Sequence, residues 1–184
     1  IPYLLLWAAM IAIYPYSYLA VLLLAIPTGL FLTRFFPFQH DCGHYSFFES
    51  KAANNFWGTV LGFFTFTPFY NWRISHNLHH ATTGNLDRRG HGDVWLMTVD
   101  EYNQSSRWRK LQYRIYRNPI MLFIIGPVVY FLIRRRFNDG LKPHMKRERW
   151  NLYLTNMCIV LLYGALGYFI GFQKMLAILL PPAV

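Results

Sequence analysis

Two long apolar runs limit how this chain can fold. Tyr18 to Phe36 and Leu152 to Ile170 each approach the roughly 20 residues that a helix needs to cross a bilayer. Leu4 to Ile13 is apolar but shorter, and another apolar stretch begins at Met175. Backbone polar groups inside lipid find partners only within regular structure, so these runs should be helical. We therefore predict an all-α, multispan membrane protein with two transmembrane hairpins.

Shorter segments complete this outline. We predict turns within the hairpins at Tyr14 to Ser17 and at Phe172 to Lys174. The apolar runs Trp57 to Tyr70 and Pro119 to Ile133 are too short to span and are flanked by polar or basic residues. We interpret both as interfacial or re-entrant helices, with a short tilted span as the alternative for the second.

The charges are concentrated in the middle of the chain. Only 14% of the residues are charged, yet 17 of 18 Lys and Arg and all 8 Asp and Glu lie between Arg34 and Trp150. Basic residues beside apolar spans mark the cytoplasmic side, so this polar layer should face the cytoplasm. The same rule accounts for the net charge of +10, and we expect no nucleic acid partner. Two cysteines outside any C-x-x-C pair give neither a disulfide framework nor a zinc ribbon.

Five of the seven histidines occupy two short windows. His40 and His44 are four residues apart, and His76, His79 and His80 repeat that spacing at i, i+3 and i+4. On a helix these positions share one face, so the imidazoles of each window can point toward a common centre. Both windows should lie where an apolar or interfacial segment meets water. We predict that these five residues bind metal.

The donor set narrows the choice of metal. Imidazole suits zinc, copper, iron and nickel. The chain has neither the E-x-x-H of carboxylate di-iron bundles nor H-E-x-x-H, and five histidines exceed the needs of one four-coordinate zinc. We favour a two-metal iron site that activates dioxygen, while zinc hydrolysis stays open.

Nearby polar residues are candidates to orient the imidazoles through their second nitrogens. They are Asp41, Asn77, Asp87 and Asp93, each of which is equally consistent with a helix cap or a surface group. We interpret His91 as a residue of a glycine-flanked loop and His144 as facing lipid headgroups. Trp72 and Arg73 should position the second histidine helix at the interface.

The two histidine windows and the residues around them resemble those of a known family. HDCGH at 40–44, followed by WRISHNLHH at 72–80 and ATTGNLDRRGHGDVW at 81–95, resembles bacterial acyl-lipid desaturases of the omega-6 (delta-12) type, within the membrane fatty acid desaturase superfamily. The resemblance implies four transmembrane helices, histidine boxes on the cytoplasmic side of the bacterial inner membrane, and two irons held by eight or more histidines. The family's third box, H-x-x-H-H, has no counterpart here. We therefore expect residues 1–184 to form one incomplete desaturase domain.

The resemblance also implies a reaction and its partners. An external donor, ferredoxin-like or cytochrome-type, would supply electrons, and dioxygen would oxidise a fatty acyl lipid to a cis alkene. A di-iron hydroxylase, ketolase or acetylenase with the same boxes is an alternative, and an inactive fragment is another. A haem-binding or metal-transporting membrane protein is the alternative outside the enzymes, although such proteins usually place their ligands within the spans.

Overall fold

The computed structural model describes residues 1–90, 92–137 and 140–183. All regular structure in these ranges is helical, which confirms the predicted fold class. Two helices, Tyr18–Gly43 and Lys146–Ile170, are long and apolar enough to cross a membrane. The helices are α1 (Pro2–Ile13), α2 (Tyr18–Gly43), α3 (Lys51–Phe64), α4 (Phe69–Thr82), α5 (Val99–Gln104), α6 (Arg107–Tyr116), an irregular α7 (Met121–Arg136), α8 (Lys146–Ile170) and α9 (Phe172–Ala183).

The first hairpin pairs α1 with α2. The turn lies where it was predicted, and the Ser17 side chain caps α2 by accepting a hydrogen bond from the Ala20 amide at 3.2 Å. The predicted span ends at Phe36, but the helix continues to Gly43. Its 26 residues give a length of about 39 Å, which exceeds a hydrocarbon core of about 30 Å. The last turns of α2, which contain the first histidine window, can therefore project beyond the lipid.

The second hairpin pairs α8 with α9. Its turn was predicted at Phe172 to Lys174, and that prediction was wrong, because α9 already begins at Phe172. The chain reverses at Gly171, whose φ of +89° is a conformation that glycine adopts without strain. Gly167 completes the turn, since a Cβ there would stand 2.5 Å from the Phe172 ring.

A small apolar core joins the two hairpins. Met10 of α1, Val21 and Ala25 of α2 and Ile178 of α9 are buried together. Much of the other apolar surface of the long helices is exposed, as expected of side chains that face lipid. It includes Leu19, Leu23, Ile26, Leu30, Val160, Leu161 and Phe169.

The apolar run Trp57 to Tyr70 is not one segment. It is divided by the turn at 65–68, where Phe66 has a φ of +53° and Pro68 caps α4. Proline fixes its own φ and disfavours a helical residue before it, so α3 ends and α4 starts in a new direction. The run Pro119 to Ile133 forms most of α7, and α6 and α7 are bent by 62° at the break between them. This bend fits a broken span or a re-entrant segment.

Gln39 connects the end of α2 to the turn between α3 and α4. Its side chain is fully buried, and its Nε2 donates to the Thr67 carbonyl at 3.0 Å. Its Oε1 accepts a hydrogen bond from the Thr65 hydroxyl at 2.6 Å. Since His40 is the next residue, these bonds set the first histidine window relative to the start of α4.

Gln39→Met should therefore destabilise the protein while nearly conserving volume. The variant leaves the buried Thr67 carbonyl without the Gln39 donor, and we expect a loss of about 1 to 3 kcal/mol. Denaturant unfolding in detergent micelles measures the change. Thr33→Ala removes an exposed hydroxyl that bonds only within its own helix turn and is the matched control. Equal stability of the two variants would contradict this role of Gln39.

Candidate metal centre

Four of the five predicted histidines come together. His40 and His44 lie at the C-terminal end of α2, and His76 and His80 lie one turn apart on α4. One ring nitrogen from each of the four falls within 4.8 Å of all the others. The side chains are half-buried or exposed, so the group opens toward solvent at the end of the long span.

His76 lies at the middle of this group. Its Nε2 is 3.0 Å from the Nε2 of His44 and 3.0 Å from the Nε2 of His80. A ring nitrogen carries either one hydrogen or one lone pair in the ring plane, so it makes only one good hydrogen bond at a time. Three nitrogens facing one another in this way are poorly satisfied by hydrogen bonding alone. They are suited to share a cation.

The donor set fits a metal ion in size and chemistry. Two nitrogens on opposite sides of a metal, each about 2.1 Å from it, stand about 4.2 Å apart. The observed limit of 4.8 Å is close enough for small side-chain rotations to close the group around one ion. An all-imidazole set suits iron, zinc, copper or nickel rather than magnesium or calcium.

Electrostatics keep these imidazoles in the form that binds metal. Burial, followed by the neighbouring histidines, lowers the pKa of His76 to about 4. Burial and the nearby His40 and His80 also lower the pKa of His44. Both rings are therefore neutral at neutral pH, and a metal need not displace a proton from them.

His79 lies beside the group of four and makes its own contacts with Asp93 and Thr83. Its Nδ1 lies 3.0 Å from the Asp93 carboxylate, and the Thr83 hydroxyl is 3.2 Å from its Nε2. Gly92, at a φ of +84°, lets the loop approach so closely that a Cβ there would stand 3.3 Å from the His79 Cβ. The ring remains near the others, with its centroid 6.1 Å from that of His76.

The other predicted residues are placed as follows. The Asp41 carboxylate lies 3.0 Å from the His40 Nδ1, which is the contact expected of an orienting group. Asn77 and Asp87 are exposed and lie outside the group of four. His144 is exposed in the loop before α8 and is also outside the group, while His91 lies outside the described residues.

Trp72 has a larger role than the sequence indicated. It is buried, and its ring stacks on His76 with a centroid distance of 4.5 Å and an interplanar angle of 16°. Its far edge fits against Gly43, where a Cβ would stand 2.8 Å from the ring. Two sequence features could have predicted this contact: the glycine next to His44 and the tryptophan one helical turn before His76. Together they bring the two histidine helices into register.

Arg73 fixes the turn that follows the first window. Its guanidinium donates to the Tyr45 hydroxyl at 2.6 Å and to the Asn55 side-chain oxygen at 2.9 Å. Tyr45 has a φ of +59°, which is unfavourable for a tyrosine and needs such support. Arg73 thus links α4 to the end of α2 and to α3.

Comparison with known proteins decides the family. Residues 16–184 match the family described as fatty acid desaturase. The chain belongs to the fatty acid desaturase family. This confirms the resemblance noted from the histidine windows, and with the two long apolar helices it makes the chain a membrane protein.

Curated desaturases from several bacteria are similar to this chain. A fatty acid desaturase of Bacillus subtilis (strain 168) is 46% identical over 97% of this chain and 50% of its own length. An sn-1 oleoyl-lipid 12-desaturase of Picosynechococcus sp. is 36% identical over 91% of this chain and 47% of its own. An sn-1 acyl-lipid omega-3 desaturase (ferredoxin) of Synechocystis sp. is 38% identical over 54% of this chain and 28% of its own. The chain thus spans about half the length, or less, of these relatives. No solved structure matches it.

His76→Ala should remove the most central nitrogen and abolish metal retention by the group of four. The measurement is metal content by mass spectrometry after the purified chain is incubated with ferrous iron or with cobalt and passed through a desalting column. His144→Ala, an exposed histidine outside the group, is the matched control. Equal metal content in the two variants would contradict the assignment.

Gly43→Ala should weaken metal binding without removing a donor. The added methyl group collides with Trp72 and displaces the ring that supports His76. Loss of a supporting contact typically lowers metal affinity about 10- to 100-fold. Cobalt titration followed by its visible absorption measures the change. Gly164→Ala on α8, where a Cβ meets nothing within 4 Å, should leave the affinity unchanged.

Proposed function

We propose that the intact protein is a fatty acid desaturase, an oxidoreductase that introduces a cis double bond into the acyl chain of a membrane lipid. The observation that carries the proposal is the convergence of four imidazoles from α2 and α4 at the end of a membrane-crossing helix, in a chain of this family. The balanced reaction takes one saturated carbon pair, dioxygen, two electrons and two protons to one alkene and two waters. A bound di-iron centre would supply the redox chemistry that this reaction needs.

We assign the histidines to two iron positions. His40, His44, His76 and His80 would hold the first iron, because their nitrogens already share one centre. His79 would serve the second iron with ligands from the rest of the intact protein. Its contact with Asp93 supports this role, since the carboxylate fixes which ring nitrogen stays available. Asp41 would do the same for His40.

Substrate and electron donor follow from the relatives and from the membrane setting. Two relatives are named for acyl chains carried on lipids, and one is named for ferredoxin. We infer an acyl-lipid substrate and a ferredoxin-like donor, with a cytochrome-type donor as the alternative. The excess of Lys and Arg between the apolar runs supports a cytoplasmic position for the histidines in a bacterial inner membrane.

His79→Ala in the complete reading frame should abolish new unsaturation, because the second iron loses a ligand. Fatty acid profiles of an expressing host, read by gas chromatography and mass spectrometry, measure the product. His144→Ala should retain it. An unsaturated product undiminished in His79→Ala would remove that residue from the site, and a hydroxylated product would assign the protein to the related hydroxylases.

A further inference from the structure

Helix α6 carries an apolar stripe that faces away from the protein. Trp108, Leu111 and Ile115 recur at helical spacing and so lie on one side of the helix. All three are exposed, by 66%, 45% and 49%. Stripes of this kind normally pack against a protein core, so the outward orientation requires another apolar environment.

Contacts on the opposite side fix this orientation. Tyr113 meets the Trp95 ring edge-to-face at a centroid distance of 5.3 Å, and the Arg109 guanidinium lies 5.9 Å from the same ring. The Arg114 Nε donates to the Tyr102 hydroxyl at 2.7 Å. Because α6 is held through these aromatic and basic side chains, it cannot rotate to bury its apolar stripe without losing all of them.

The apolar surface continues from α6 into α7. Ile120 lies in the break before α7 and Phe123 lies on α7, and they are exposed by 59% and 77%. Together α6 and α7 are apolar enough for one bent span, so this surface runs from the end of α6 directly into a segment suited to lipid. Arg107 and Arg117, both exposed, lie at the two ends of α6. Cations flanking an apolar stripe complement the phosphates of anionic headgroups.

We propose that α6 is a binding site for the surface of an anionic bilayer. Its Trp108, Leu111 and Ile115 stripe enters the boundary between headgroups and acyl chains, and the flanking arginines contact lipid phosphates. One loop connects this site to the metal centre, because Trp95 packs on α6 and lies two residues after Asp93, the partner of His79. Lipid contact therefore anchors the loop that supports one of the imidazoles.

Nitroxide labels on the whole chain, reconstituted in lipid nanodiscs, test the proposal. Cys42→Ala and Cys158→Ala provide the background, and labels are placed at Leu111→Cys and Ile115→Cys. The control is Asn103→Cys on α5, whose carbonyl accepts from Lys110 on the protein-facing side of α6. Far-UV circular dichroism and a single elution peak show that each labelled protein is folded, and only such proteins are compared.

In nanodiscs that contain phosphatidylglycerol, the labels at 111 and 115 should collide with dissolved oxygen and lose their collisions with a water-soluble nickel chelate. The label at 103 should show the reverse. Nickel collisions at 111 should rise when phosphatidylcholine is the only lipid, and also when Arg107→Gln and Arg117→Gln are combined.

Two results would overturn the proposal. Nickel accessibility at 111 and 115 equal to that at 103 would show that the stripe faces water. An acidic protein would then be the better candidate than lipid for the partner of α6. Identical depth in the two lipid compositions would show that anionic headgroups are not recognised. Neither result depends on whether the intact protein desaturates lipids, since no activity is measured.

Discussion

The packing of Trp72 between Gly43 and His76 holds the last turn of α2 against α4, and the candidate metal centre depends on that contact. The long apolar helix brings one pair of imidazoles out of the lipid, and the fit of the Trp72 ring against Gly43 aligns them with the second pair. Gln39 and Arg73 add hydrogen bonds around the same junction. A rigid support of this kind lets a half-exposed group of side chains keep a defined geometry.

This geometry has an electrostatic cost. Burial disfavours the charged form of His76, the neighbouring imidazoles disfavour it further, and together they lower the pKa of His76 to about 4. The ring nitrogens that face one another are poorly satisfied by hydrogen bonds among themselves, and a shared cation would offset that cost. The carboxylates of Asp41 and Asp93 each contact the Nδ1 of one histidine, His40 within the group of four and His79 beside it. There they orient rings without occupying the centre.

Helical periodicity and apolar length predicted much of this structure. The two long helices, the Tyr14 to Ser17 turn and the shared helical face of the histidines within each window follow from local spacing, whereas the meeting of the two windows depends on the packing of Trp72 against Gly43. The break at Pro68 was missed because hydropathy continues across it, and the reversal at Gly171 was missed because polar Gln173 and Lys174 resembled a turn. Asp93 was predicted as a candidate to orient an imidazole, but its pairing with His79 in particular is a tertiary contact that local spacing does not give.

X-ray absorption of the iron-loaded chain tests the central claim most directly, because scattering from imidazole rings is distinct from that of water or carboxylate. The account predicts a first shell dominated by imidazole nitrogens, and it predicts that His44→Ala and His80→Ala each reduce the ring scattering. An oxygen-dominated shell that is unchanged by both substitutions would show that α2 and α4 do not share a metal.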